Sequence, residues 1–118
     1  MATALLQTVH HPVSGRIDAK DLREPTGFTL PEIARYIGVK PDTLKKNSSA
    51  PIAQPGLVKL VHAWEILQTI FLEDAAIRAW MHHPLARFGG KTVLWLLGEH
   101  GVDSFEALAE EMAAGNYG

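Results

Sequence analysis

Residues 79–98 read AWMHHPLARFGGKTVLWLLG, and this stretch separates two helical segments by a turn that no helix continues through. Pro84 cannot extend the preceding helix, because its ring clashes with the turn before it and it has no N–H to donate. Gly89 and Gly90 allow backbone angles that a β-carbon forbids. Thr92 can cap the next, very apolar helix by accepting a hydrogen bond from an N–H of its first turn. The stretch therefore predicts a helix, a glycine turn and a second helix.

Apolar patterns on either side of this turn predict further helices. A wide apolar stripe predicts a long helix from Gly56 to about Leu72, in which Trp64 is a core residue. A last helix is expected to open at Asp103, after a loop bracketed by Gly98 and Gly101, and to stop at Gly115. Its apolar face follows the spacing i, i+3, i+4, i+7: Phe105, Leu108, Ala109 and Met112. Because no segment alternates with period two, we predict an all-α fold without strands.

The N-terminal half of the chain has small, glycine and apolar residues at the spacing of a helix-turn-helix. Thr29 and Glu32 form a predicted capping box. Gly38 follows the small residue Ala34 by four positions, and Leu44 supplies the apolar anchor of the second helix. Four residues at or near the exposed side of that helix are expected to reach DNA phosphates or base edges: Lys40, Thr43, Lys45 and Lys46. The same three-helix scaffold also occurs without any DNA contact, and that alternative stays open.

Composition and charge exclude several classes of protein for this chain. With 118 residues and 47% hydrophobic residues, the chain can bury a core, and its lack of cysteine excludes disulfides and thiolate metal sites. Residues 1–50 carry seven Lys and Arg against five Asp and Glu, whereas residues 51–118 carry four against eight. The basic N-terminal half and the acidic C-terminal half indicate surfaces with different partners. Without a basic leader or an apolar run of about 20 residues, we expect a cytoplasmic protein with no membrane partner.

Catalytic and cofactor motifs are missing from the sequence. The dinucleotide and zinc-protease patterns are absent, and the run Gly89–Thr92 lacks the upstream glycine of a phosphate loop. The histidines, including the pair His10 and His11, show no zinc-ligand spacing. We therefore predict a binding protein rather than an enzyme, with no catalytic residue, cofactor or metal.

An ordered set of residues carries a resemblance to a known family. Trp80, Pro84, the run Gly89–Thr92, Leu96–Leu97 and the final residues 115–118 together resemble the toxin-binding domain of the Xre/MbcA/ParS antitoxins. Taken singly, Trp80 and its aromatic neighbours would be core residues around a glycine turn, so only the combination supports the resemblance. The resemblance covers residues 57–118, which are expected to form the toxin-binding domain. Ahead of it, the spacing described above predicts a helix-turn-helix domain (18–50), and the lack of any sustained period predicts a flexible arm (1–17).

The resemblance implies a function. Partners of this family are RES-domain toxins, which consume NAD by degradation or by ADP-ribosyl transfer, and the antitoxin's C-terminal segment covers the toxin's NAD pocket. The implied toxin-binding residues are Trp80, Arg87, Gly89, Gly90, Lys91, Gly115, Asn116, Tyr117 and Gly118. A homodimer within the toxin–antitoxin complex and autoregulation at promoter DNA are also expected. The alternative is a stand-alone helix-turn-helix regulator whose C-terminal half only dimerises.

Overall fold

The computed structural model describes residues 15–115 and, within them, shows helices joined by short turns and one small hairpin. The helices are α1 (Arg23–Thr26), α2 (Leu30–Ile37), α3 (Pro41–Lys46), α4 (Gln54–Phe71), α5 (Asp74–Met81) and α6 (Val93–Ala113). Single 3-10 turns lie at Ala19–Leu22, Pro51–Ala53 and Ala86–Phe88. The hairpin pairs β1 (Pro84–Leu85) with β2 (Lys91–Thr92). The predicted all-α class is confirmed for the bulk of the fold, and the expectation of no strand is wrong at this hairpin.

Helices α2 and α3 follow from local sequence signals. The side chain of Thr29 accepts a hydrogen bond from the Glu32 amide, and the Thr29 amide donates to Glu32 Oε1 at 2.8 Å, which completes the predicted capping box. Gly38 ends α2 with a φ of 77°. The Val39 amide donates to Ala34 O at 3.0 Å and the Gly38 amide to Arg35 O at 3.2 Å, the paired bonds of a Schellman motif. A three-residue turn thus separates α2 from α3.

Helix α4 is the spine of the fold. Its Trp64 is fully buried, as predicted, and donates from Nε1 to Asp74 Oδ1 at 2.8 Å. The Gln68 side-chain amide donates to the same oxygen at 3.0 Å. The Asp74 carboxylate at the start of α5 therefore stabilises the turn between α4 and α5. Near the other end of α4, a β-carbon built on Gly56 would lie 2.5 Å from Cβ of Ile37. Helix α2 therefore crosses α4 in direct contact with this glycine.

Helix α6 contains the expected interruption between two helical segments, but the interruption is shorter than predicted. Gly98 lies inside the first segment, and only Gly101, with a φ of 79° and a ψ of −175°, leaves the helical conformation. The carboxylate expected to cap the last helix, that of Asp103, instead accepts a hydrogen bond from Lys59 Nζ at 2.6 Å. The expected stop is present, since Gly115 has a φ of 97° and its amide donates to Met112 O.

Buried side chains from Ile17 to Met112 form one hydrophobic cluster. Its largest fully buried members include Trp64, Phe105 and Leu44, which come from α4, α6 and α3. The segments 18–50 and 57–118 thus contribute to the same core. No helix among the described residues is long and apolar enough to cross a membrane.

Candidate functional site

The glycine turn of the sequence forms the tip of the hairpin. Pro84 pairs with Thr92 and Leu85 with Lys91, and the Gly90 amide donates to Leu85 O at 3.0 Å. Gly89 and Gly90 have φ angles of 64° and 85°. Among the described residues, no atom lies within 4 Å of a β-carbon built on either glycine. Glycine is therefore favoured at both positions by the backbone angles alone.

Two cations of the hairpin lie over aromatic rings. The Arg87 guanidinium lies 5.4 Å from the centroid of Phe88, and Lys91 Nζ lies 5.3 Å from the centroid of Trp95. The Trp95 ring also makes an edge-to-face contact with His100, at 5.5 Å between centroids. Such cation–ring contacts hold flexible side chains in preferred positions at the surface. The hairpin thus presents two exposed basic side chains next to half-buried aromatic rings.

Arg87 connects this hairpin to the end of the last helix. Its Nη2 donates to Glu111 Oε2 at 2.6 Å, and Glu111 lies four residues before Gly115. The implied toxin-binding residues of the hairpin (Arg87, Gly89, Gly90 and Lys91) are therefore joined to the segment that ends at Gly115. Asn116, Tyr117 and Gly118 lie outside the described residues.

Trp80 occupies a different position from the hairpin residues. It is half-buried on α5, and its ring contacts Phe71 at 5.2 Å between centroids. The His83 amide donates to Trp80 O at 3.0 Å, so the residue also shapes the entry to the hairpin. Trp80 combines a packing role with a partly accessible surface.

The residues assigned to DNA lie around α3. Lys40 and Lys45 are exposed, and within residues 15–115 neither forms an ion pair. Lys46 Nζ lies 3.0 Å from Asp42 Oδ2 on the same helix, so its charge is partly compensated. Thr43 is half-buried and, with Lys40, lines a groove of about 490 Å³ between α2, α4 and α6.

Two polar side-chain contacts between α4 and α6 were not predicted. Lys59 contacts Asp103 at 2.6 Å, and His62 Nδ1 lies 2.7 Å from Glu106 Oε2. The hydrogen bond and the charge of Asp103 raise the pKa of Lys59. Both helices use the spacing i, i+3, which places the two positions of each helix on one face. Lys59 and His62 on one helix and Asp103 and Glu106 on the other, each pair three residues apart, were the available signal in the sequence.

Burial affects one further titratable group. Tyr36 packs edge-on against Phe28, at 5.0 Å between centroids, and its pKa is raised by desolvation and by the charge of Glu32. This tyrosine belongs to the core, where a neutral hydroxyl is favoured. Among the described residues, no group of three or more His, Cys, Asp or Glu side chains is placed to hold a metal ion.

A comparison with solved structures finds this architecture in a known chain. That chain belongs to the crystal structure of the M. tuberculosis MbcT–MbcA toxin–antitoxin complex. The match covers 98% of both chains with a TM-score of 0.55 and 19% sequence identity. The two chains share one fold. No protein-family model matches the sequence, and no curated protein matches it at a significant level.

Proposed function

We propose that this protein is an antitoxin that binds and neutralises a cognate RES-type, NAD-consuming toxin by occluding its active site with the C-terminal segment. The observation that carries the proposal is the agreement in fold over 98% of both chains with a chain from a toxin–antitoxin complex. The sequence resemblance, which depends on the residues of the glycine hairpin and of the C-terminal segment, supports the same assignment. Function still follows from the site rather than from the fold, so the surface must be tested directly.

The hairpin and the end of α6 supply a suitable binding surface. Arg87 is fixed by Glu111 at 2.6 Å, and Lys91 is held over Trp95, so both cations are positioned before a partner arrives. Arginine and aromatic side chains are enriched among the residues that dominate binding energy at protein interfaces. Preorganised side chains lose less conformational entropy on association. We place the toxin contact on this surface, with residues 116–118 extending from it.

Affinity purification of the tagged full chain from its native host tests the proposal. We expect a stoichiometric partner that consumes NAD once it is released from the complex. The double variant Arg87→Glu, Lys91→Glu should lose this partner. The control double variant Lys20→Glu, Arg23→Glu changes the charge equally at exposed positions elsewhere and should retain it. Purification without any stoichiometric enzyme would instead support the stand-alone regulator.

Autoregulation at promoter DNA is a second part of the proposal. It rests on the turn of three residues between α2 and α3 and on the exposed cations Lys40 and Lys45, neither of which forms an ion pair with the described residues. Phosphate contacts by lysine release counterions, so each contact contributes about one unit to the slope of log affinity against log salt. Lys46 contributes less, because Asp42 already neutralises part of its charge.

Gel shifts with the native promoter region measure this contribution. The variant Lys40→Ala, Lys45→Ala should bind more weakly to all sequences, and its salt slope should fall by about one unit per lost contact. The variant Lys20→Ala, Arg23→Ala removes the same charge outside α3 and should keep the parental slope. An unchanged slope in the first variant would leave α2 and α3 as a scaffold only.

A further inference from the structure

The turn between α4 and α5 contains a strained and exposed leucine. Leu72 directly follows α4, and its φ of 69° is the one positive value outside glycine among the described residues. Bulky side chains rarely adopt such angles, and glycine or asparagine is the usual residue where a helix ends in this way. The Leu72 side chain is also 79% exposed, so burial does not offset the strain. Leucine is thus a poor residue for folding at this position.

The second residue of this turn also contributes little to folding. Glu73 is the N-cap of α5, but its side chain makes no capping hydrogen bond, and Ser, Thr, Asp and Asn are the residues that cap helices well. Within residues 15–115 its exposed carboxylate forms no ion pair. The turn is stabilised instead by Asp74, which accepts the hydrogen bonds of Trp64 and Gln68. The side chains of residues 72 and 73 therefore remain available to a partner.

Leu72 adjoins a half-buried aromatic pair that leads to the glycine hairpin. Phe71, its neighbour in the chain, packs against Trp80 of α5 at 5.2 Å between ring centroids. Both residues are half-buried, so part of each is accessible. The Trp80 carbonyl accepts a hydrogen bond from the His83 amide at 3.0 Å, directly before the hairpin begins at Pro84. Phe71, Leu72 and Trp80 thus form a corner patch that continues toward the surface on which we place the toxin contact.

We propose that Leu72 is an anchor residue of the toxin contact and inserts into an apolar pocket of the toxin that has a basic rim; this inference rests on the proposed function. The basic rim follows from charge, because no cation among the described residues pairs with Glu73 and only neutral groups donate to Asp74. A second copy of this chain is a poorer occupant, since a twofold contact centred on Leu72 would bring the Glu73 carboxylates of both copies together. The short turn also holds Leu72 in place before a partner arrives, which lowers the entropic cost of binding.

Substitutions of Leu72 should have opposite effects on folding and on binding. Leu72→Asn and Leu72→Gly remove the apolar side chain and tolerate the positive φ, so we expect a melting temperature equal to or above that of the parent. The probe for binding is the toxin that is released from the tagged parental complex. Its Kd should rise about tenfold or more, because the burial of one leucine side chain is lost. A lower melting temperature together with an unchanged Kd would show that Leu72 serves the fold alone, and would overturn the proposal.

A second exposed apolar residue supplies the matched control. Ile52 is 73% exposed and lies just before the other end of α4, roughly 27 Å away at about 1.5 Å per residue. Ile52→Asn should therefore keep the parental Kd for the toxin. The charge of the rim is tested at Glu73: Glu73→Lys should weaken toxin binding more than Glu73→Gln, because only lysine repels a basic rim. Tighter binding by Glu73→Lys would overturn the basic rim.

The outcomes separate this inference from the proposed function. A parental Kd in Leu72→Asn, together with loss of the toxin in the variant Arg87→Glu, Lys91→Glu, would overturn the inference and leave the proposed function in place. A parental chain that captures no NAD-consuming partner would overturn both. Self-association of the purified parent that Leu72→Asn abolishes would also overturn the inference, because a second copy would then be the occupant of the corner patch.

Discussion

At the scale of single residues, two glycines of this chain are required for different reasons. Gly90 has a φ of 85°, and among the described residues no atom lies within 4 Å of its added β-carbon. Gly56 lies within the helical range, but its added β-carbon would lie 2.5 Å from Cβ of Ile37. The sequence indicated the importance of Gly90 through its neighbour Gly89. It contained no local sign of the contact at Gly56, because Ile37 lies nineteen residues earlier in the chain.

The substitution Gly90→Val tests the conformational requirement at the hairpin tip. A β-branched residue strongly disfavours positive φ, so we expect a loss of about 1–3 kcal/mol in the free energy of unfolding. The matched variant Gly90→Asn should lose less, since asparagine tolerates left-handed angles. Chemical denaturation of the three proteins measures the difference. A value for Gly90→Val within error of the parent would show that the turn can adopt ordinary angles.

At the scale of secondary structure, the sequence predicted those helices whose ends carry a local signal. The capping box of Thr29 and Glu32 opens α2, and the apolar stripe predicted the limits of α4 to within two residues at Gln54 and Phe71. The hairpin was missed, because two strands of two residues each are too short to show an alternating pattern. The continuation of α6 through Gly98 was also missed. Arg35 covers that glycine from α2, a contact between distant parts of the chain.

The contacts of α2 with the two long helices give a paired prediction. In Gly56→Ala the new methyl group would lie 2.5 Å from Cβ of Ile37, so the helices must separate, and we expect a loss of about 1–3 kcal/mol. In Gly98→Ala the methyl group would lie 3.1 Å from Nη2 of Arg35, which is a flexible side chain. Because alanine is favoured over glycine inside a helix by roughly 0.5–1 kcal/mol, this variant should be neutral or more stable.

Thermal and denaturant unfolding of these two variants distinguishes steric contact from helix propensity. Both substitutions add the same methyl group to a helical glycine, so each serves as the control for the other. An unchanged or increased stability in Gly56→Ala would contradict the close crossing of α2 and α4. A loss in both would show that Arg35 cannot move away from α6.

At the scale of the whole molecule, the candidate site combines parts that are distant in sequence. The resemblance assigned the hairpin and the C-terminal residues to one surface, and the structure joins Arg87 to Glu111 at 2.6 Å. That ion pair could not be predicted, because its residues are 24 positions apart and no periodic pattern connects them. The side chains that hold the cations, Phe88 and Trp95, were visible in the sequence only as aromatic neighbours. The contacts of Arg87 with Glu111 and Phe88, and of Lys91 with Trp95, thus position the two cations of this surface.

The last turn that the structure describes shows which contacts a deletion of residues 116–118 would leave in place. Met112 is 3% exposed and belongs to the core, whereas the next three residues are exposed and Gly115 ends the helix at a φ of 97°. Removal of residues 116–118 therefore removes none of the described buried contacts. It also leaves Arg87, Lys91 and their ring contacts unchanged. Folding and the proposed broad toxin interface should both survive the deletion.

Deletion of Asn116, Tyr117 and Gly118 should consequently separate binding from inhibition. We expect unchanged helicity and melting temperature, retained complex formation, and a return of NAD consumption within the intact complex. The variant Tyr117→Ala keeps the chain length and shows whether the aromatic ring alone blocks the partner. Full inhibition by the truncated protein would place the block elsewhere, on the surface from Trp80 to Lys91. Complete loss of the complex would make the C-terminal residues an affinity anchor, because blocking and binding would then fail together.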